Sequence, residues 1–172
     1  MKTSICHPKV FAFALAILLV AAHAAMSMDQ SDESIKLAIE TEIANSPELG
    51  GVQVRVRVED GNVVLIGVVR LYIQKMQIGK IAWKTEGVVE VDNEAHVVPQ
   101  ARLSDVAIRL KILEIIRDHD RFRAAQIKVE VKEGSVSLDG TFDHPRDVIF
   151  LKHRVAEIEG VTSVQIEIAF RV

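Results

Sequence analysis

The chain has 172 residues, with 21 basic and 24 acidic side chains, a net charge of −3 and 49% hydrophobic content. That length suits one medium domain or two small ones. The mild acidity argues against a nucleic-acid binder, which carries a basic excess, and a single cysteine, Cys6, cannot supply a disulfide framework.

Residues 1–25 have the three-part layout of a cleavable secretory signal. Lys2, His7 and Lys9 make a weakly basic start, Val10 to Ala22 is an unbroken apolar run of 13 residues, and Ala22-His23-Ala24 fits a small-residue cleavage site. The run is too short for a comfortable membrane span. Cleavage after Ala24 or Ala25 would leave about 147 residues; without Lys2 and Lys9, 19 basic residues then face 24 acidic ones, a net charge of −5. Cys6 precedes the apolar run, so it is not the lipid-modified cysteine of a lipoprotein. The remainder is cysteine-free and has no thiol nucleophile or thiolate metal ligand. An exported, cysteine-free chain suits a bacterial periplasm.

Beyond the signal the chain repeats itself. A shift of 73 residues aligns 31–98 with 104–171 without a gap, giving 18 identities in 68 positions. They are mostly apolar residues and glycines, so the halves share a core and a set of turns. Ile35, Ile39 and Ile43 recur every four residues and predict a helix over 31–45, with Ser31 or Asp32 as its N-cap. The strict alternation of "VQVRVRV" (52–58) predicts a half-buried strand. Asp60-Gly61 is a two-residue hairpin signal, and "NVVLIGVV" is the returning strand. A helix over roughly 71–85 follows, without a side-chain cap from Arg70 and closed near Gly87, and "VVEVDNEAHVV" is a third strand. After a short linker at 98–103 containing Pro99, the second unit has a helix near 104–119, a hairpin near 125–141 and a helix near 144–158 begun by Asp143 and Pro145. "VTSVQIEIAFRV" is its last strand. The expected class is α+β: two tandem α-β-β-α-β sandwiches over 31–98 and 104–172, each a three-stranded sheet with two helices on one face.

The motif Val56, Val58, Gly61, Val63, Leu65, Gly67, Gly87, Val88, Val91, Val97 recurs as Val129, Val131, Gly134, Val136, Leu138, Gly140, Gly160, Val161, Val164, Phe170. It resembles the BON-domain family, once per repeat and over nearly the whole chain after the signal. A signal followed by two such domains is similar to the family's osmotically inducible periplasmic members. The family's usual asparagine in the last strand stands as Asn93 and is replaced by Ile166 in the second copy. The resemblance implies a non-enzymatic domain associated with phospholipid binding, envelope maintenance and stress protection, some members acting as periplasmic chaperones.

No residues mark a catalytic site, a metal site or a cofactor. His96, His119, His144 and His153 show no metal-ligand spacing, and neither Gly61 nor Gly67 has the placement and companion lysine of a phosphate loop. Functional signal lies instead where the copies diverge. On the helix at 104–119, Val106, Leu110 and Leu113 form a second apolar stripe beside Ile108, Ile112 and Ile116, whereas their equivalents are Glu33, Leu37 and Glu40. Arg109, Lys111 and Arg117 surround that stripe. Such a face packs on the other unit, lies in an anionic phospholipid surface, or meets a protein partner. Val64 and Ile66 point to the open face of the first sheet, beside Arg55 and Arg57, where the second unit has Ser137 and Asp139. Tyr72, Met76, Gly79 and Trp83 line one side of a helix, as core or as a docking surface that the small Gly79 lets approach closely. The leading expectation is an envelope protein that contacts anionic lipid through 104–119, with the first unit docked on the second. The alternative is a chaperone-like or adaptor module that binds envelope proteins or unfolded clients through Val64 and Ile66 or the Tyr72–Trp83 side.

Overall fold

The computed structural model describes residues 32–123 and 125–170, so the expected signal segment lies outside the described residues. Each unit opens with a helix, α1 (32–45) or α3 (Asp105–Asp118). Their four-residue isoleucine spacing puts Ile35, Ile39, Ile43, Ile108 and Ile112 on one side, where all are buried. A 3-10 turn follows each helix, Pro47–Leu49 or Asp120–Phe122, and drops Leu49 or Phe122 into the core.

The hairpins come next: β1 (Gln53–Glu59) with β2 (Asn62–Val69), and β5 (Gln126–Lys132) with β6 (Ser135–Phe142). After α2 (Tyr72–Lys84) or α4 (Pro145–Ala156), the last strand, β3 (Glu90–Asn93) or β7 (Ser163–Phe170), pairs parallel to the central one, giving the orders β1-β2-β3 and β5-β6-β7. Alternation sends Val56, Val63, Leu65 and Val69 to the helix side, with Ile78 and Ala82 of α2, and their copies build the second core with Leu151 and Val155 of α4.

The last strands differ. β7 runs unbroken over Ser163–Phe170, whereas the single strand expected over 88–98 is two pieces, β3 (Glu90–Asn93) and β4 (His96–Val97). Asn93 accounts for the break. Its amide nitrogen donates to the Lys75 carbonyl of α2 at 2.8 Å and its amide oxygen accepts from Ala95 N at 3.3 Å. Register resumes unshifted, from Leu65 opposite Asn93 to Val68 opposite His96.

A carboxylate ties the first helix of each unit to its hairpin. Asp32 accepts from the amides of Asp60 (2.9 Å) and Gly61 (3.0 Å); Asp105 accepts from those of Glu133 (2.9 Å) and Gly134 (3.0 Å). The expected capping role of Asp32 is therefore corrected: the carboxylate grips the turn, and in the second unit the cap is Ser104, which accepts from Ala107 N. Both central residues of each turn have positive φ, 51° and 76° in the first and 51° and 77° in the second. This conformation matches the twist of the flanking strands.

The second helices solve their starts differently. Gln74 and Asp147 are equivalent and both buried. Gln74 Oε1 accepts from the amides of Arg70 and Leu71, so α2 is secured from within, and its nitrogen donates to the Glu48 carbonyl. Asp147 instead takes the Arg121 guanidinium at 3.3 Å, and that guanidinium lies 4.2 Å over the Phe150 ring. Between units, Tyr72 of α2 packs against the second core.

Gly51 and Gly61 separate two costs. Both have left-handed φ, 79° and 76°, but a Cβ on Gly51 meets nothing within 4 Å while one on Gly61 would lie 2.7 Å from the Gly87 carbonyl oxygen. Gly51→Ala is expected to cost about 1 kcal/mol from backbone strain alone. Gly61→Ala should cost at least about 2 kcal/mol more, because backbone must move. Urea denaturation of the two variants checks this; equal losses would show that the turn is not held against Gly87.

Candidate functional site

Helix α3 presents its second stripe to solvent. Val106 is 69% exposed, Leu110 62% and Leu113 39%. The first unit does not cover them. At the matching positions of α1 only Leu37 is apolar, flanked by Glu33 and Glu40. The two first helices bury the same side and differ on the other.

The cations around the stripe are not equally available. Arg109 and Lys111 are exposed, whereas Arg117 pairs with Asp118 at 3.0 Å and with Glu114 at 3.8 Å. Two further cations, Lys128 and Lys132, escape a reading of the helix alone. They lie on β5, which runs beside α3, and line with Val106, Arg109 and Val131 an open groove of about 570 Å³. The alternation of "QIKVEVK" predicts that they face outward, but only packing shows that they border the stripe. Lys128 Nζ lies 2.7 Å from Glu130. That hydrogen bond, with its charge attraction, raises the lysine pKa above its ordinary value and lowers that of the glutamate.

The other sequence-marked residues fall into two groups. Val64 and Ile66 are half-buried in the central strand β2 on the face away from the helices, and Val68, 52% exposed, extends the row. Tyr72, Met76 and Trp83 differ in exposure. Tyr72 reaches the second core, Met76 is half-buried, and Trp83 is 57% exposed. Gly79 owes its size to its own unit: a Cβ there would lie 2.9 Å from Asn93 Nδ2. The matching pair in the second unit, Lys152 and Ile166, changes at both positions.

Among the described residues no group of histidine, cysteine, aspartate and glutamate could hold a metal ion, and no helix is long and apolar enough to cross a membrane. His119, at the end of α3, serves packing. Its Nδ1 lies 2.8 Å from the Ile115 carbonyl oxygen and its ring sits 5.0 Å from that of Phe150.

Among the solved structures similar to this chain are two of one protein. One is the C-terminal domain of CdsD, a structural protein of the type III secretion system of Chlamydia trachomatis, at 17% identity and a TM-score of 0.30 over 76% of this chain and 62% of that one. This chain thus spans less than two thirds of that structure. A second CdsD structure matches at 13% identity and a TM-score of 0.28, over 78% of this chain and 90% of that one. No curated protein matches. The BON domain model matches twice, at residues 31–99 and 104–171, where the two sandwiches lie. The chain therefore belongs to the BON-domain family and carries two copies in tandem.

Proposed function

We propose that the protein is a non-enzymatic component of the bacterial envelope, exported to the periplasm, which contacts anionic phospholipid surfaces through α3. The observation that carries this reading is the exposure of Val106, Leu110 and Leu113 on one side of a well-packed helix. A folded domain gains nothing in stability from three large apolar side chains in water, and each contributes on the order of 1 kcal/mol or more once moved into an apolar layer. The stripe is bordered by Arg109 and Lys111 on α3 and by Lys128 and Lys132 across the groove. Lysine and arginine stems reach past an inserted stripe and leave their charges at head-group level. Arg117 joins them when phosphate displaces Asp118 and Glu114 as its partners.

Acidic residues on the same surface, Asp105, Glu114, Asp118 and Glu130, balance much of this charge. Binding therefore depends on insertion, with charge selecting the surface. The second unit leads, and the first, docked through Tyr72, orients it.

Co-sedimentation with vesicles tests this. The purified protein is expected to bind vesicles rich in phosphatidylglycerol at least about tenfold more strongly than phosphatidylcholine vesicles, and less strongly at high salt. Leu110→Glu with Leu113→Glu should abolish binding while leaving the thermal midpoint within about 2 °C, because both sites are exposed. Equal, negligible binding to both vesicle types would sink the proposal.

A further inference from the structure

The open face of the first sheet has an order that lipid contact through α3 does not use. Three columns run side by side. On β1 the outward residues are Gln53, Arg55, Arg57 and Glu59, all exposed. On the central β2 they are Asn62, Val64, Ile66 and Val68. On the third strand they are Glu90 and Asp92, then Glu94 in the break, then His96. Register fixes the rows. Arg57 pairs with Val64, which pairs with Asp92; Arg55 pairs with Ile66, beside which Glu94 follows Asn93. The face is thus basic on one flank, apolar in the middle and acidic on the other. Among the described residues Arg55, Arg57, Asp92 and Glu94 make no ion pair.

We propose that this face is a self-association surface whose partner is the same face of a second copy of the chain. The charge order selects that partner. Turning a second copy over by 180° about an axis parallel to β2 brings the faces together with their flanks exchanged. Arg57 then lies over Asp92 of the second copy, Arg55 over its Glu94, and the Val64-Ile66-Val68 columns meet along the axis. Both flanks are satisfied at once, as a two-fold interface requires. Rotation about the perpendicular in-plane axis would set arginine over arginine and is excluded. One like-charged pairing results, Glu59 over Glu90, made twice by the two-fold in the row at the rim, where sheet twist spreads packed faces apart.

The same face of the second unit cannot do this. Its central column is Ser135, Ser137, Asp139 and Thr141, with no apolar row, and Lys128 and Glu130 of its edge strand already pair with each other. Size sets the strength. Three strands about 4.8 Å apart and about seven residues long offer roughly 300 Å² per copy. A standard stable interface needs about 800 Å². The dimer is therefore weak and reversible, with a Kd on the order of 100 µM, and forms where the protein is concentrated.

Sedimentation equilibrium of the purified protein from about 10 µM to about 1 mM tests this, with a charge-reversed pair of variants. The unaltered protein should dimerise, at least about tenfold more weakly in 0.5 M than in 0.05 M salt. Arg55→Glu with Arg57→Glu makes both flanks acidic, and Asp92→Lys with Glu94→Lys makes both basic. Each variant alone should stay monomeric, and an equimolar mixture should form a heterodimer. All four sites are exposed, so native circular dichroism is expected throughout. A chain that stays monomeric at 1 mM, or a dimer indifferent to both reversals, overturns the proposal. So does a monomer that suppresses aggregation of a denatured client and loses this on Ile66→Asp, which would assign the face to unfolded polypeptides. Vesicle binding through α3 is unaffected by any of these results.

Discussion

Two carboxylates hold the architecture in place. Asp32 and Asp105 each accept two backbone amides from the hairpin turn that follows them by 28 and 29 residues. Those amides belong to the two central residues of a two-residue turn, beyond the last pair of the hairpin ladder, and one carboxylate side chain satisfies both at once. The grip fixes the first helix against the end of the sheet, so the isoleucine stripe must face inward. Whatever occupies the opposite side of the helix is then committed to solvent or to a partner. The exposure of Val106, Leu110 and Leu113 follows from that geometry as much as from their own positions.

The two units share the grip and the core and differ in what surrounds them. At one corner the same backbone frame is filled in the first unit by the side-chain amides of Gln74 and Gln77, which donate to the Glu48 carbonyl and carboxylate, and in the second by an ion pair and an aromatic ring, Asp147 with Arg121 and Phe150. At the last strand, Gly79 with Asn93 stands where Lys152 and Ile166 stand in the second unit. These paired differences show that contacting positions diverged together while the frame stayed fixed. On the outside the asymmetry sorts by surface: the second unit has the apolar helix and the first has the apolar sheet face. One chain can therefore present two different surfaces from one duplicated fold.

Much of the fold is legible in the sequence because it follows from period and turn chemistry. Isoleucines four apart, alternating valines and Asp60-Gly61 each have one low-energy reading, and the 73-residue repeat supplies every reading twice. What escaped depends on contacts between segments distant in the chain. Asn93 breaks a strand because α2 offers it a carbonyl and Gly79 makes room; neither fact is local to "VVEVDNEAHVV". Gln74 starts α2 from inside the helix, where a capping rule looks before it. Lys128 and Lys132 border the α3 stripe because β5 lies alongside. Val106, Leu110 and Leu113 could be named from helical spacing, but spacing alone left their burial open between a neighbouring unit, a membrane and a partner.

The amides of Asp60 and Glu133 bear most directly on the carboxylate grip, because both residues are exposed at turn tips. Turn-tip amides normally exchange with solvent almost as fast as in an unfolded chain. Native-state hydrogen exchange followed by NMR should find both protected by at least about a hundredfold, close to the β1–β2 and β5–β6 ladder amides, and unprotected in Asp32→Ala and Asp105→Ala respectively. Exchange of Asp60 and Glu133 at the rate of free loop amides in the unaltered protein would show that the carboxylates do not hold the turns, and the placement of both first helices would need another cause.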